Sequence, residues 1–118
     1  MFKVPELNDL EVAFGEVAWL PQMADIPKDL DPKWEKIVAK WFYFGLPPDT
    51  KFQPAEGVDA KKAMRALKAC LGSFSQKHEH KMATAAYLLS QWFTDIQGWE
   101  AQTAKEKEFH DATRHIRP

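Results

Sequence analysis

The residues best suited to binding or catalysis form a basic stretch between positions 61 and 81. Six cations in this stretch face a single acid, Glu79, and two histidines add charge when they are protonated. Clustered cationic side chains are the usual electrostatic footprint of an anionic partner. A solvated helix face has the same composition, so both interpretations stay open. This basic patch consists of Lys61, Lys62, Arg65, Lys68, Lys77, His78, His80 and Lys81.

Metal binding requires side chains that converge on one ion, and the histidines do not meet this requirement. His78 and His80 are two residues apart, so on a helix they point about 200° away from each other. His110 and His115 are five apart and do not share a helix face. The sequence has one cysteine, Cys70, and no HExxH motif. We therefore expect no metal site.

Catalytic motifs are also missing from the sequence. There is no GxSxG nucleophile motif and no glycine-rich phosphate loop. Cys70 lies within an apolar helical arc, which predicts a buried thiol rather than a reactive one. No spacing nominates a pair of carboxylates. The expectation is a non-enzymatic protein without a cofactor, with an enzyme assembled from scattered acids and histidines as the least favoured class.

Apolar residues at spacings of three and four predict an all-α fold, a compact single-domain bundle of about four or five helices over 1–118. The longest stretch without Pro or Gly, residues 76–97, is predicted to be the central helix. Ser73 and Gln76 fit a capping box before it, with Ser75 as a rival N-cap, and Gly98 is a natural stop after it. Other helices are predicted from Glu6 to Phe14, from Asp31 to Gly45 and after Asp59, with a polar terminal helix or tail over 99–118. Residues 21–32 and 46–58 are predicted to be connectors.

Five Trp and eight Phe are many for 118 residues. The run from Trp41 to Phe44 places aromatic side chains on every side of one helix, so some of them must meet loops, a ligand or a second subunit. Exposed apolar surface marks interaction sites, and we therefore predict a homodimer. The candidate interaction aromatics are Tyr43, Phe44, Phe52, Trp99 and Phe109. In the connectors, Phe52, Met23 and Ile26 are expected to pin the chain to the core.

Composition and charge narrow the class of protein. A single cysteine indicates a reducing compartment, and no signal peptide or membrane span is recognisable, which predicts a soluble cytoplasmic protein. The net charge is −1, but it is unevenly placed: residues 1–60 carry 11 acids and 6 bases, whereas residues 61–118 carry 6 acids and 10 bases. Such an asymmetry can orient a charged partner.

Three segments resemble short uncharacterised helical proteins encoded by phages and prophages. They are the runs DIPKDLDPKWEKIVAKWFYFGL, PAEGVDAKKAMRALKACLGSF and KHEHKMATAAYLLSQWF, which cover much of residues 20–95. The resemblance implies no catalytic residue. It implies a context in which small proteins bind host proteins, including defence nucleases, or nucleic acid.

The leading expectation is therefore a non-enzymatic, phage-encoded binding protein that acts by protein–protein interaction with a host factor, such as a defence nuclease that it inhibits. The alternative is a nucleic-acid-binding protein that uses the basic patch. No membrane partner is expected.

Overall fold

A computed structural model describes residues 2–10 and 17–100 of the 118-residue chain. This part contains three α-helices, α1 (Pro32–Phe44), α2 (Ala60–Leu71) and α3 (His78–Trp92), and two strands, β1 (Lys51–Pro54) and β2 (Phe93–Gln97). The strands pair antiparallel in a two-stranded sheet. The prediction of an all-α bundle of four or five helices is therefore wrong, and the fold is mixed.

The starts of α1 and α2 follow from local sequence. The Asp31 carboxylate accepts a hydrogen bond from the backbone N–H of Lys33 at 3.0 Å, and Pro32 occupies the first helical position. The Asp59 carboxylate accepts from the backbone N–H groups of Lys61 and Lys62 at 3.0 and 3.3 Å. Both predicted caps are confirmed, as is the end of α1 just before Gly45.

The predicted central helix over 76–97 is wrong at both ends. The helix begins at His78, after Lys77, and no side chain caps it. Ser73 does not form the capping box, because it lies buried in the preceding turn, where its hydroxyl is 3.1 Å from that of Ser75. At the other end the backbone becomes extended at Phe93, with φ −129° and ψ 143°, which ends α3 at Trp92.

A β-bulge explains why residues 93–97 look helical in the sequence. Phe93 pairs with Pro54, Asp95 pairs with Gln53, and Thr94 is the extra residue between them. Residues that face one side of a regular strand are two or four apart, but a bulge inserts one residue and changes this spacing. Phe93 and Ile96, three apart, are therefore both buried, at 1% and 2% exposure. A spacing of three is also typical of a helix, and this produced the wrong prediction.

The amino-terminal segment and the connectors also differ from the predictions. Residues 2–10 contain only a 3-10 turn, Leu7–Asp9, and the backbone is extended again at Leu10, so the predicted helix from Glu6 does not form there. Its continuation over residues 11–16, like the predicted terminal helix beyond Glu100, lies outside the described residues. Residues 46–58 are not simply a loop, because they contain β1.

The core is built around α3. This helix packs against both α1 and α2, while β2 and β1 cover its carboxyl end. The fully buried large side chains come from every element except β1, whose Phe52 is half-buried and packs onto the same cluster. Phe52 therefore pins its connector to the core, as predicted. The largest of these fully buried side chains are Phe93, Ile37, Leu67, Leu88, Leu89, Ile96 and Val38.

An ion pair joins α1 to β2. The Lys33 ammonium donates a hydrogen bond to Asp95 Oδ1 at 3.1 Å and also lies over the Trp34 ring, 4.8 Å from its centroid. This hydrogen bond, with a second one from Gln97, lowers the pKa of the Asp95 carboxyl below its usual value. Because both charged groups are partly exposed, the ion pair should add little to the stability of the fold. Its role is to hold α1 and β2 in place relative to each other.

None of the helices in the described part of the chain has the length and apolar character needed to cross a bilayer.

Candidate protein-binding surface

The outer face of α2 carries one half of the basic patch. The helix buries Ala63, Ala66, Leu67 and Cys70 against α3 and the rest of the core. Since residues three and four apart lie on one helix face, the bases between these positions are turned outward together. The exposed cations of α2 are Lys61, Lys62, Arg65 and Lys68.

Three of these cations surround a shallow depression with an apolar floor, which we term the basic groove. Its volume is about 560 Å³. The floor is formed by Phe52 from β1 together with Ala60 and Met64 from α2. The lining cations are Lys61, Arg65 and Lys68. A surface that combines an apolar floor with several positive charges at its rim is suited to an amphipathic partner that carries negative charges.

The floor of the basic groove is held in place by aromatic packing. The Phe52 ring centroid lies 5.4 Å from that of Phe93 and 6.4 Å from that of Trp41, and both pairs are tilted. Phe93 is buried and Trp41 packs against the core. These two ring contacts hold Phe52 in place, so it offers a partner an apolar side chain in a fixed position.

Lys62 is directed away from this groove. Its ammonium donates a hydrogen bond to the side-chain carbonyl of Asn8 in the amino-terminal segment. Lys62 and Arg65 also line a second depression of about 220 Å³ together with Leu7, Asn8 and Leu10. Arg65 therefore lies between the two depressions and can reach a partner on either side of α2.

The other half of the basic patch is divided between different surroundings. The His78 ring contacts the Phe42 ring of α1 with 5.1 Å between centroids, and the His80 ring nitrogen Nε2 lies 2.9 Å from the Pro21 carbonyl. The Lys81 carbonyl accepts from the Cys70 thiol at 3.7 Å, while Lys77 is exposed ahead of α3. Lys77 and His78 are exposed, whereas His80 is half-buried, so the members of this half differ in exposure and in the segments that they contact.

Three of the candidate interaction aromatics, Tyr43, Phe44 and Trp99, line one depression. Tyr43 is exposed, and Phe44 and Trp99 are half-buried in a surface depression of about 370 Å³ that also includes Lys36 and Lys40. The Lys40 ammonium lies 5.8 Å from the Trp99 ring centroid. Phe52 belongs to the basic groove, and Phe109 lies outside the described residues.

Cys70 is buried, and burial raises its pKa from 9.0 to about 12 despite the opposing effect of the Lys81 charge. A thiol of this kind stays protonated at neutral pH and is a poor nucleophile. Within the described residues, no group of three or more His, Cys, Asp or Glu side chains could hold a metal ion.

Sequence reasoning missed two features of the surface. The apolar arc that contains Cys70 continues at helical spacing to Phe74, which predicts that Phe74 lies on that arc, but this side chain is 83% exposed because the helix ends before it, at Leu71. Met23, predicted to pin its connector to the core, is instead 46% exposed and lines a different depression, between its connector, α1 and α3. Ile26, for which the same was predicted, is half-buried. No local signal separates these residues from core residues, because both fit an apolar pattern.

Comparison of the chain with protein-family models, with curated proteins and with solved structures gave no match.

Proposed function

We propose that this chain is a small non-enzymatic binding protein whose basic groove binds an acidic segment of a partner protein. The observation that carries the proposal is the apolar floor of Phe52, Ala60 and Met64 beside three exposed cations. Apolar contacts supply most of the affinity of a protein interface, whereas charges at its rim speed association and select the partner. The groove offers both.

The same groove is less suited to single-stranded nucleic acid. Such binding relies on aromatic rings against which bases can stack. The Phe52 ring is half-buried and already packs against Phe93 and Trp41, which leaves less of it for stacking with a base. The remaining floor is aliphatic. These features favour a protein segment with one apolar side chain and flanking carboxylates.

Nucleic-acid binding remains the second candidate, and the spacing of the cations favours it. Lys61, Arg65 and Lys68 follow one another along one face of α2, over about 10 Å of helix length. A row of cations on this scale can follow successive phosphates of one strand. This function would use backbone contacts without base stacking.

The proposed setting is the cytoplasm of a bacterial host, with the gene carried by a phage or prophage. The support for this setting is the resemblance of residues 25–46, 54–74 and 77–93 to small phage proteins. The single cysteine, Cys70, also fits a reducing compartment such as the cytoplasm. The proposed partner is a host protein with an acidic surface, such as a defence nuclease that this chain inhibits.

The test is affinity capture from bacterial lysate, with and without nuclease treatment. We expect a protein partner that survives nuclease and is lost with the double variant Lys61→Glu and Arg65→Glu. The matched control is Lys3→Glu with Lys36→Glu, which makes the same charge change at exposed lysines elsewhere and should retain the partner. Equal retention by both variants would reject the groove as the binding surface.

A titration of the wild-type protein against duplex and single-stranded DNA and RNA at two salt concentrations tests the second candidate. If phosphates are bound, affinity falls steeply with salt, and the double variant loses about two units of slope. Absence of binding at low salt excludes this candidate.

A further inference from the structure

Phe74 is the most exposed large apolar side chain in the described part of the chain, at 83%. The turn between α2 and α3 holds it outward. The neighbouring Ser73 is fully buried, and its backbone N–H donates to the Cys70 carbonyl at 3.2 Å. Because the Ser73 side chain points inward, the next side chain is directed into solvent. Phe74 is thus a fixed apolar protrusion on an anchored turn.

A matching depression lies along the first two turns of α3. This apolar groove has a volume of about 500 Å³. Its apolar lining comes from the connector before α1, from α1 and from α3. The lining residues are Met23, Ile26, Pro27, Ala39, Met82 and Ala83. Methionine side chains adapt their shape to an inserted group. Met23 remains 46% exposed, so the groove is open to a partner.

The charges around the protrusion and the groove are complementary. Along the chain, Phe74 lies between Lys68 in the last turn of α2 and Lys77 just before α3, and both lysines are exposed. The apolar groove includes two exposed carboxylates, Glu35 and Glu79, and a single cation, Lys28. An apolar group with flanking cations therefore fits a groove in which acids predominate.

We propose that the protein forms a two-fold symmetric homodimer in which Phe74 of each copy enters the apolar groove of the other. A two-fold interface requires that each subunit presents both complementary features on one surface. The protrusion and the groove meet this condition because both lie at the amino-terminal end of α3. In this arrangement Lys77 of one copy faces Glu79 of the other. The interface shares only Lys68 with the basic groove and does not depend on the function proposed for that groove.

Sedimentation equilibrium of the full chain over the micromolar range tests the dimer. We expect Phe74→Ser to weaken association by at least about 10-fold, since buried aromatic residues dominate interface energies. Gln91→Ser is the control, because Gln91 is exposed on α3 but lies outside both features, and its dimer should be unchanged. A wild-type monomer at high micromolar concentration overturns the proposal, as does equal dimerisation of the Phe74→Ser variant.

A charge exchange tests the pairing within the dimer. Lys77→Glu and Glu79→Lys should each weaken association, because each places like charges opposite one another. The double variant carries opposite charges again and should recover most of the wild-type affinity. A double variant as weak as the two single variants added together would overturn the arrangement. Lys61→Glu with Arg65→Glu should leave the dimer unchanged, which separates this inference from the proposed function.

Discussion

The rings of Phe52 and Phe93 lie 5.4 Å apart, one on each strand of the sheet, and their contact joins the groove floor to the core. Phe93 is 1% exposed and follows α3 directly, while Phe52 lies on β1, 41 residues earlier in the chain. The fold and the candidate binding surface therefore depend on the same pair of side chains.

Truncation of Phe93 should be strongly destabilising. Phe93→Ala removes a buried ring and leaves a cavity, so we expect a loss of about 3–5 kcal/mol in the free energy of unfolding. Urea denaturation followed by circular dichroism measures this loss. Phe74→Ser serves as the control at a protein concentration low enough to keep the chain monomeric, since that ring is exposed in the monomer and its removal should change stability by less than about 0.5 kcal/mol. A loss under about 1 kcal/mol for Phe93→Ala would show that β2 does not pack as described.

Replacement of Thr84 by valine should stabilise the protein. Thr84 is fully buried in α3, and its hydroxyl has no hydrogen-bond partner among the described residues. A buried hydroxyl without a partner costs about 1–3 kcal/mol, and valine removes it at nearly the same volume. We expect a higher midpoint in thermal denaturation. Thr84→Ser keeps the hydroxyl, loses a methyl group and should lower the midpoint; a lower midpoint for both variants contradicts the prediction.

The Cys70 thiol should be unreactive in the folded protein and should make stability depend on alkaline pH. Burial raises its pKa from 9.0 to about 12, so between these values the unfolded chain loses a proton that the folded chain keeps. The contribution of the protonated Cys70 thiol to the free energy of unfolding is therefore full below pH 9 and is lost as the pH rises towards 12. Comparison of wild type with Cys70→Ala by urea denaturation across this range isolates the effect.

A thiol reagent gives an independent measurement. Labelling of Cys70 at neutral pH should follow global unfolding and become rapid in urea. Fast labelling of the native protein would show that the thiol is accessible.

Alanine substitutions at two glycines distinguish the energetic cost of an unfavourable backbone conformation from that of a steric clash. Gly98 and Gly57 have φ of +82° and +79°, which disfavours any side chain. A Cβ at Gly98 would lie 2.7 Å from the Asp49 carbonyl oxygen, whereas a Cβ at Gly57 would meet no described atom within 4 Å. Gly57→Ala should therefore cost about 1–2 kcal/mol, from conformation alone. Gly98→Ala should cost clearly more, as measured by urea denaturation, and equal losses would argue against the close approach.

The sequence predicted those elements whose signals are local. Asp31 and Asp59 cap α1 and α2 through backbone groups two and three residues away, so a short window of sequence contains the whole interaction. The exposure of Lys61 and Arg65 followed from helical period in the same way.

The sheet and the groove floor could not be predicted by this route. Pairing of Phe52 with Ile96 joins distant residues, and the bulge at Thr94 gives β2 a helical spacing of apolar residues. Phe52 reaches the cations of α2 only because the sheet places it there. Phe74 continues the apolar period of α2, but the helix ends at Leu71, and the period has no structural meaning beyond that point.

The position of β2 has a consequence for synthesis of the chain on the ribosome. Among the described residues β1 pairs with β2, which ends at Gln97, so this pairing cannot be complete until that residue has left the exit tunnel. Until then the ring of Phe52 lacks its contact with Phe93, and the nascent chain presents apolar surface to its surroundings. A chain that stops before Phe93 contains the residues of all three helices but lacks β2 and the buried side chains of Phe93 and Ile96.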